Sequence, residues 1–319
     1  MNARVVVTDF TFPSLEPEQN VLSEVGGTVE GHQCKTEDDV IAAVGDAKVV
    51  LAQFAPITRR VLEHLGEGAT VVRYGVGVDT IDLGAAKEIG IKVAYVPDYC
   101  LDEVAEHTTA LLLTLLRRIP ALDRGVRAGR WDGIALAKPL LPFKETTVGL
   151  VGVGRIGSEV VARLSAFGFT FLVYDPYLSQ AQADELGVTL TELGELLAEA
   201  DAITLHIPLT EQTQHFINQE RLGQMKPTAV LVNTARGGLV DPDALVAALQ
   251  TGKLRAAALD VFEEEPLPED SPLRASENLL LTPHIAWYSE RAVERLQQLA
   301  AEEAARALLG QPLRCPVEL

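Results

Sequence analysis

Apolar and polar positions alternate in short blocks along the first third of the chain. Runs rich in β-branched residues at 4–9, 49–54, 71–74 and 92–96 read as strands, and helical patterns at 37–44 and 58–65 lie between them. This alternation predicts parallel strands buried on both faces. Pro97-Asp98-Tyr99 breaks the rhythm. A helix follows over 102–118, apolar on more than one face, so it belongs inside the protein or at a subunit interface. The stretch 125–143, with Gly129, Gly133, Pro139 and Pro142, reads as a long irregular arm. A second alternation begins at Thr146, with strands at 147–151, 170–174, 202–206, 229–233, 256–259 and 279–281. Within it, Asp241 followed by Pro242 reads as an N-cap with proline at the first helical position. The last element is one long helix over 289–309, expected to return to the first block and make that block discontinuous in sequence.

Length and composition narrow the class. A chain of 319 residues suggests two domains, and 47% hydrophobic residues exclude a disordered chain. A formal charge of −18 repels phosphate backbones and anionic lipid, so neither nucleic acid nor a membrane is an expected partner. The longest apolar run, near 111–116, is stopped by Arg117-Arg118 and is too short to span a bilayer. The start of the chain runs into Val5-Val6-Val7 without a basic region and cleavage site, so no signal peptide is expected. Cys34, Cys100 and Cys315 suit neither a disulfide framework nor a metal site, so a reduced, cytoplasmic protein without metal is expected.

Candidate chemistry starts at Gly152-Val153-Gly154-Arg155-Ile156-Gly157, a G-x-G-x-x-G after an apolar strand and before a helix. Gly152 permits the tight turn, Gly154 a close approach to a pyrophosphate, and Gly157 helix–strand packing. Asp175 ends the next strand, where a carboxylate accepts hydrogen bonds from ribose hydroxyls and repels a 2′-phosphate. Pro176-Tyr177-Leu178 supplies no arginine, so NAD is favoured over NADP. No G-x-x-x-x-G-K-[ST] occurs, which argues against a P-loop NTPase.

Three further positions follow strand ends, where an open parallel sheet forms its ligand crevice. Arg236, in Asn233-Thr234-Ala235-Arg236-Gly237-Gly238, can grip a carboxylate through two parallel hydrogen bonds. His284, after Thr282-Pro283, can exchange a proton near neutral pH. One of Glu263, Glu264 and Glu265 can raise and orient that imidazole, and the spacing does not choose among the three. Asp260 can accept a hydrogen bond from a nicotinamide carboxamide. Together these suit hydride transfer between a nicotinamide and a small 2-keto or 2-hydroxy acid.

The ordered segments Val230–Gly238, Asp260–Pro266 and Thr282-Pro283-His284, joined to the glycine fingerprint, resemble the D-isomer-specific 2-hydroxyacid dehydrogenase family. The resemblance implies an α/β protein of two Rossmann-like, doubly wound parallel-sheet domains with the active site in the cleft between them. It implies a flavodoxin-like substrate domain of residues 1–99 plus 287–319 and an NAD domain of residues 100–286. It selects Glu265 as the partner of the acid/base His284, with Arg236 on the substrate carboxylate. It further implies substrate contacts from the backbone of Tyr74, Gly75, Val76 and Gly77, and cofactor contacts from Arg155, Ile156, His206, Pro208, Thr213, Thr234, Ala235 and Asp260. A homodimer joined through the NAD domain is implied as well. The segment His284–Ser289 is similar to the branch containing the C-terminal binding proteins, NAD-binding corepressors that retain the site, and it places Trp287 beside the substrate. The loop 53–58 departs from the arginine-bearing loop of phosphoglycerate dehydrogenases, so 3-phosphoglycerate is not the expected substrate. An NAD-sensing scaffold, or a dehydrogenase of another small anion, is the alternative reading.

Overall fold

The central strands are buried along almost their whole length, which only a sheet covered on both faces can provide. The computed structural model describes residues 3–319. The chain divides into two compact units, one of residues 1–100 and 288–319 and the other of residues 101–287.

The first unit contains β1 (Ala3–Val7), α1 (Glu16–Glu24), β2 (Gly27–Gly31), α2 (Glu37–Val44), β3 (Val49–Ala52), α3 (Arg59–Glu63), β4 (Thr70–Arg73), α4 (Leu83–Ile89) and β5 (Lys92–Tyr95). Its parallel sheet runs β2-β1-β3-β4-β5, the flavodoxin-like order. β1 stops at Val7, two residues short of the expected end. There Asp9 turns its carboxylate onto the Gln53 and Phe54 N–H groups, at 3.0 and 2.6 Å. β2 escaped sequence reading because it is a half-exposed edge strand bounded by Gly27 and Gly31.

The second unit opens with α5 (Leu101–Leu116), α6 (Ile119–Arg127) and α7 (Gly133–Ala137). The stretch expected to be an irregular arm is thus partly helical. Pro120 lies in the first turn of α6, and Gly125 is the point where α6 touches Leu136 of α7, with no room for a side chain. There follow β6 (Thr147–Val151), α8 (Arg155–Ser165), β7 (Thr170–Tyr174), α9 (Gln180–Leu186), β8 (Thr189–Leu190), α10 (Leu193–Glu199) and β9 (Ala202–Leu205). The unit ends with α11 (Gln219–Gln224), β10 (Val230–Asn233), α12 (Pro242–Gln250), β11 (Ala256–Leu259) and β12 (Leu279–Leu281). The parallel order is β12-β11-β10-β9-β6-β7-β8, so the winding reverses between β6 and β9. Such a switch point opens a crevice beyond the strand C-termini. α5 buries Val104, Ala105, Leu111, Leu112, Leu115 and Leu116, packing chiefly on α8. Asp241 caps α12 through the Asp243 and Ala244 N–H groups.

The last helix, α13 (Glu290–Leu308), packs on α1, β3 and β4 of the first unit. Among the described residues no helix is long and apolar enough to cross a membrane.

Candidate active site

The glycine turn follows β6 directly. Gly152 has φ +87°, and a Cβ there would lie 2.8 Å from the His206 carbonyl oxygen. A Cβ on Gly157 would lie 2.7 Å from the Gly152 oxygen. Both positions therefore exclude a side chain because backbone meets backbone. Gly154 differs, since a Cβ there would meet nothing within 4 Å. Space is open there in front of α8, whose N-cap, Gly154 itself, carries no side-chain hydrogen bond. The first-turn N–H groups, including those of Arg155 and Ile156, are thereby offered to an anion. Asp175 closes the turn from the side. Its carboxylate accepts the Val153 N–H and the Tyr177 N–H, each at 2.9 Å. An open floor, bare N–H groups and a fixed carboxylate fit the pyrophosphate and ribose of a dinucleotide.

The opposite wall follows β9. His206 donates its backbone N–H to Val151 O, and its ring lies 3.1 Å from the Thr204 hydroxyl. Burial lowers its pKa to about 4, so the ring is neutral at physiological pH. Thr213 donates its hydroxyl to Pro208 O at 2.7 Å and accepts the Thr210 N–H at 2.7 Å, which knots the 208–213 loop.

Three loops beyond β10, β11 and β12 hold one another. Asn233, buried at the end of β10, accepts the Ala235 N–H at 3.0 Å and donates to Arg236 O at 2.7 Å. This curls the chain so that Arg236 leaves it in an extended conformation. The Thr234 hydroxyl meets that of Thr108 on α5 at 2.7 Å. A Cβ on Gly237 would collide with the backbone of Phe262 and Glu263, so only glycine lets the arginine loop rest on the acidic loop.

His284 adopts φ +50°, a strained conformation for a non-glycine residue. Asp260 holds it there. The Asp260 carbonyl accepts the His284 N–H at 2.7 Å. Its buried carboxylate accepts the Thr282 hydroxyl at 2.5 Å, the Ile285 N–H at 3.0 Å and the Ala286 N–H at 2.9 Å. His107 of α5 backs this group, with Nε2 3.1 Å from the Thr282 hydroxyl. Trp287 donates its indole N–H to His284 O at 2.8 Å. Asp260 was read from sequence as a cofactor contact. Its work on the His284 loop went unseen because no spacing rule reports it.

The acidic run is resolved by geometry. Glu265 Oε2 lies 2.7 Å from His284 Nδ1, and its other oxygen accepts the Phe262 N–H at 2.9 Å. Glu263 turns elsewhere, to His215 Nε2 at 2.6 Å and Gln214 Nε2 at 2.9 Å. Burial pushes the Glu265 carboxyl upward. The hydrogen bond and charge of His284, the Phe262 N–H and the Arg236 charge more than reverse this, leaving it below the ordinary carboxylate value. An ionised carboxylate only accepts, so Nδ1 of His284 carries the hydrogen of this contact.

In the first unit the segment after β4 corrects the sequence expectation. Tyr74 donates its N–H to Ala52 O at 2.8 Å, and Gly75 donates to Arg73 O at 3.0 Å. Neither N–H is available to a ligand, whereas those of Val76 and Gly77 have no partner among the described residues. The Tyr74 side chain is buried and donates to Glu18 at 2.8 Å. Arg73 was overlooked. Its guanidinium donates to Tyr74 O and fills the place of a Gly75 side chain, where φ is +133°. The signal was present as the one charge in the otherwise uncharged buried strand Thr70-Val71-Val72-Arg73.

Residues 109–286 match the family model described as D-isomer specific 2-hydroxyacid dehydrogenase, NAD binding domain. The chain is 41% identical over 310 residues to a D-3-phosphoglycerate dehydrogenase of Methanocaldococcus jannaschii, covering 97% of this chain and 58% of that one. It is 38% identical over 309 residues to a glyoxylate reductase of Thermofilum pendens, covering 93% of this chain and 89% of that one. It also superposes on the D-lactate dehydrogenase of Aquifex aeolicus complexed with NAD and lactic acid, with a TM-score of 0.85 and 31% identity over 96% of each chain. The chain spans about half the length of the phosphoglycerate dehydrogenases it matches.

Proposed function

The chain belongs to the D-isomer specific 2-hydroxyacid dehydrogenase family, and from that premise we propose that it reduces a small 2-keto acid to the D-2-hydroxy acid with NADH. The observation that carries this reading is the 2.7 Å contact between Glu265 and His284 Nδ1, beside a loop that presents Arg236.

In this reading Arg236 grips the substrate carboxylate with two parallel hydrogen bonds, and the Val76 and Gly77 N–H groups add neutral donors. A nicotinamide bound there would supply the hydride. His284 delivers its Nε2 proton to the carbonyl oxygen, and Glu265 stabilises the imidazolium that precedes this transfer. The turn Gly152–Gly157 would hold the pyrophosphate, Asp175 the ribose, and Asp260 the carboxamide. His206, Pro208, Thr213, Thr234 and Ala235 complete the cofactor wall, and Trp287 lines the substrate side.

Arg59 and Arg60 are committed to Glu88 and to Glu37 and Asp38. This supports a monoanionic keto acid over one carrying a phosphate. Cys34, Cys100 and Cys315 form no disulfide among the described residues, in keeping with a reducing, cytoplasmic setting. A homodimer formed through the second unit fits the exposed Ile119, Val126, Trp131, Ile134 and Leu141 of its α6–α7 arm, Trp131 being 90% exposed.

The test follows NADH oxidation with glyoxylate, pyruvate, hydroxypyruvate, phenylpyruvate, 4-methylthio-2-oxobutyrate and 3-phosphohydroxypyruvate. Turnover is expected with a monoanionic acid. Arg236→Ala and His284→Ala should each cut kcat/KM about 10³-fold, with NADH affinity within about threefold of wild type. Near-wild-type turnover in either variant, or NADH binding without turnover on any acid, refutes the proposal.

A further inference from the structure

We propose that Glu18 and Gln297, acting through the Tyr74 phenol, position the Val76 and Gly77 donors and so set substrate affinity from the two helices behind the loop. The inference rests on the dehydrogenase reading above and adds positioning residues that no part of that mechanism uses.

Glu18 lies on α1 at 0% exposure, Gln297 on α13 at 4%, and Tyr74 at the end of β4 at 1%. One oxygen of Glu18 accepts the Tyr74 hydroxyl at 2.8 Å. Gln297 Nε2 lies 3.2 and 3.0 Å from the two carboxylate oxygens and 2.9 Å from Ser14 O. Among the described residues no cation pairs with Glu18. The Tyr74 ring is held a second time by Phe12, edge-on at 5.2 Å.

A buried acid without a cation is costly, and an apolar cluster would fill the same volume without that penalty. Fold stability alone therefore does not call for it. What the cluster does achieve is directional. It fixes the side chain of the residue that stands immediately before the Gly75 turn, while the Tyr74 N–H keeps the backbone in register with Ala52. The chain then enters the turn from a point anchored on α1 and α13. The two N–H groups left without partners come directly after that turn. A buried polar network with every donor satisfied specifies one geometry where apolar packing would tolerate several.

The test measures KM and kcat for the best keto acid at saturating NADH in Tyr74→Phe, Glu18→Ala and Glu18→Gln. Tyr74→Phe and Glu18→Ala should raise the keto-acid KM about tenfold, with kcat within about threefold and NADH affinity unmoved. Combining the two should cost no more than either alone, because both cut the same link. Glu18→Gln keeps an acceptor for the phenol and should return KM to within about twofold of wild type. Deuterium exchange into residues 75–78 should quicken in Tyr74→Phe while α1 and α13 stay protected. An unchanged KM in folded Tyr74→Phe overturns the inference, as does activity that falls only with the folded fraction. If Glu18→Ala does not fold, Tyr74→Phe, which removes one oxygen atom, decides alone. If the wild type turns over no keto acid, the dehydrogenase reading fails by itself, and unchanged exchange in Tyr74→Phe then overturns the positioning claim separately.

Discussion

The loop after β4 in the first unit and those after β10, β11 and β12 in the second stand at equivalent places, the C-terminal ends of parallel strands, yet they are held in opposite ways. In the second unit the loops after β10, β11 and β12 brace one another. Gly237 rests on Phe262 and Glu263, Asp260 gathers the N–H groups of 284–286, and Glu265 meets His284. In the first unit a single loop after β4 is held from behind by two helices, through Tyr74, Glu18 and Gln297. The carboxylates record the difference. Burial pushes both Glu18 and Glu265 upward. Glu18 meets only neutral donors and stays raised, whereas Glu265 meets an imidazole and a guanidinium and ends lowered. A carboxylate used as an anchor needs only hydrogen bonds. One proposed to stabilise a passing positive charge must itself be charged, and Glu265 has the His284 imidazole and the Arg236 guanidinium to lower its pKa.

The largest test of that contrast is Glu265→Gln, which keeps the shape and removes the charge. The expected outcome is a fall in kcat of about 10²-fold with NADH affinity nearly unchanged. Stability carries a second signature. The lowered pKa of Glu265 gives the folded state an increment present above the ordinary carboxylate range and lost as pH falls through the folded value. Melting curves of wild type and variant should therefore converge on acidification from pH 7. A kcat within twofold of wild type would show that the second unit uses its acid as the first does, merely as an anchor.

The same contrast explains what was legible in the sequence. Arg236, Glu265 and His284 stand out in the sequence because mutually braced loops leave short ordered motifs, and the glycine turn because Gly152 and Gly157 allow no side chain. Most strands were legible too, since a doubly covered strand is apolar throughout. What escaped was whatever depends on long-range packing. Glu18 and Gln297 are nearly 280 positions apart and meet only because α13 returns to α1. Edge strand β2 escaped because Gly27 and Gly31 there report close contacts, and helices α6 and α7 because Gly129 is only the turn between two short helices. Tyr74 is expected from sequence in a loop that serves the substrate, but its side chain turns into the core, and two of the four N–H groups expected to serve a ligand are spent on backbone partners.

A middle-sized effect probes the brace itself. Asp260→Ala would leave the Ile285 and Ala286 N–H groups and the Thr282 hydroxyl without their acceptor, and would free His284 to relax from φ +50°. Loss of about 2–4 kcal/mol of stability is expected from the buried unsatisfied groups, together with a fall in kcat of about tenfold as the imidazole leaves Glu265. Calorimetry and steady-state kinetics on one preparation separate the two. A stability loss with kcat intact would mean that the Asp260 carboxylate is not what holds His284 against Glu265.

The smallest expected effect is the most diagnostic, because its sign must oppose that of Glu265→Gln. Glu18 has its folded pKa raised, first by burial. The stabilisation tied to its protonated form is complete below the ordinary carboxylate range and is lost as pH rises through the folded value. Glutamine does not titrate, so Glu18→Gln should match wild type near pH 4 and gain on it toward pH 8, by about 2 °C in Tm. For Glu265→Gln the gap also opens with rising pH, but with wild type the more stable. Two carboxylate-to-amide changes thus give melting differences of opposite sign over one pH range. Equal signs would mean that Glu18 is paired with a cation after all, and the contrast between anchor and charge would fall.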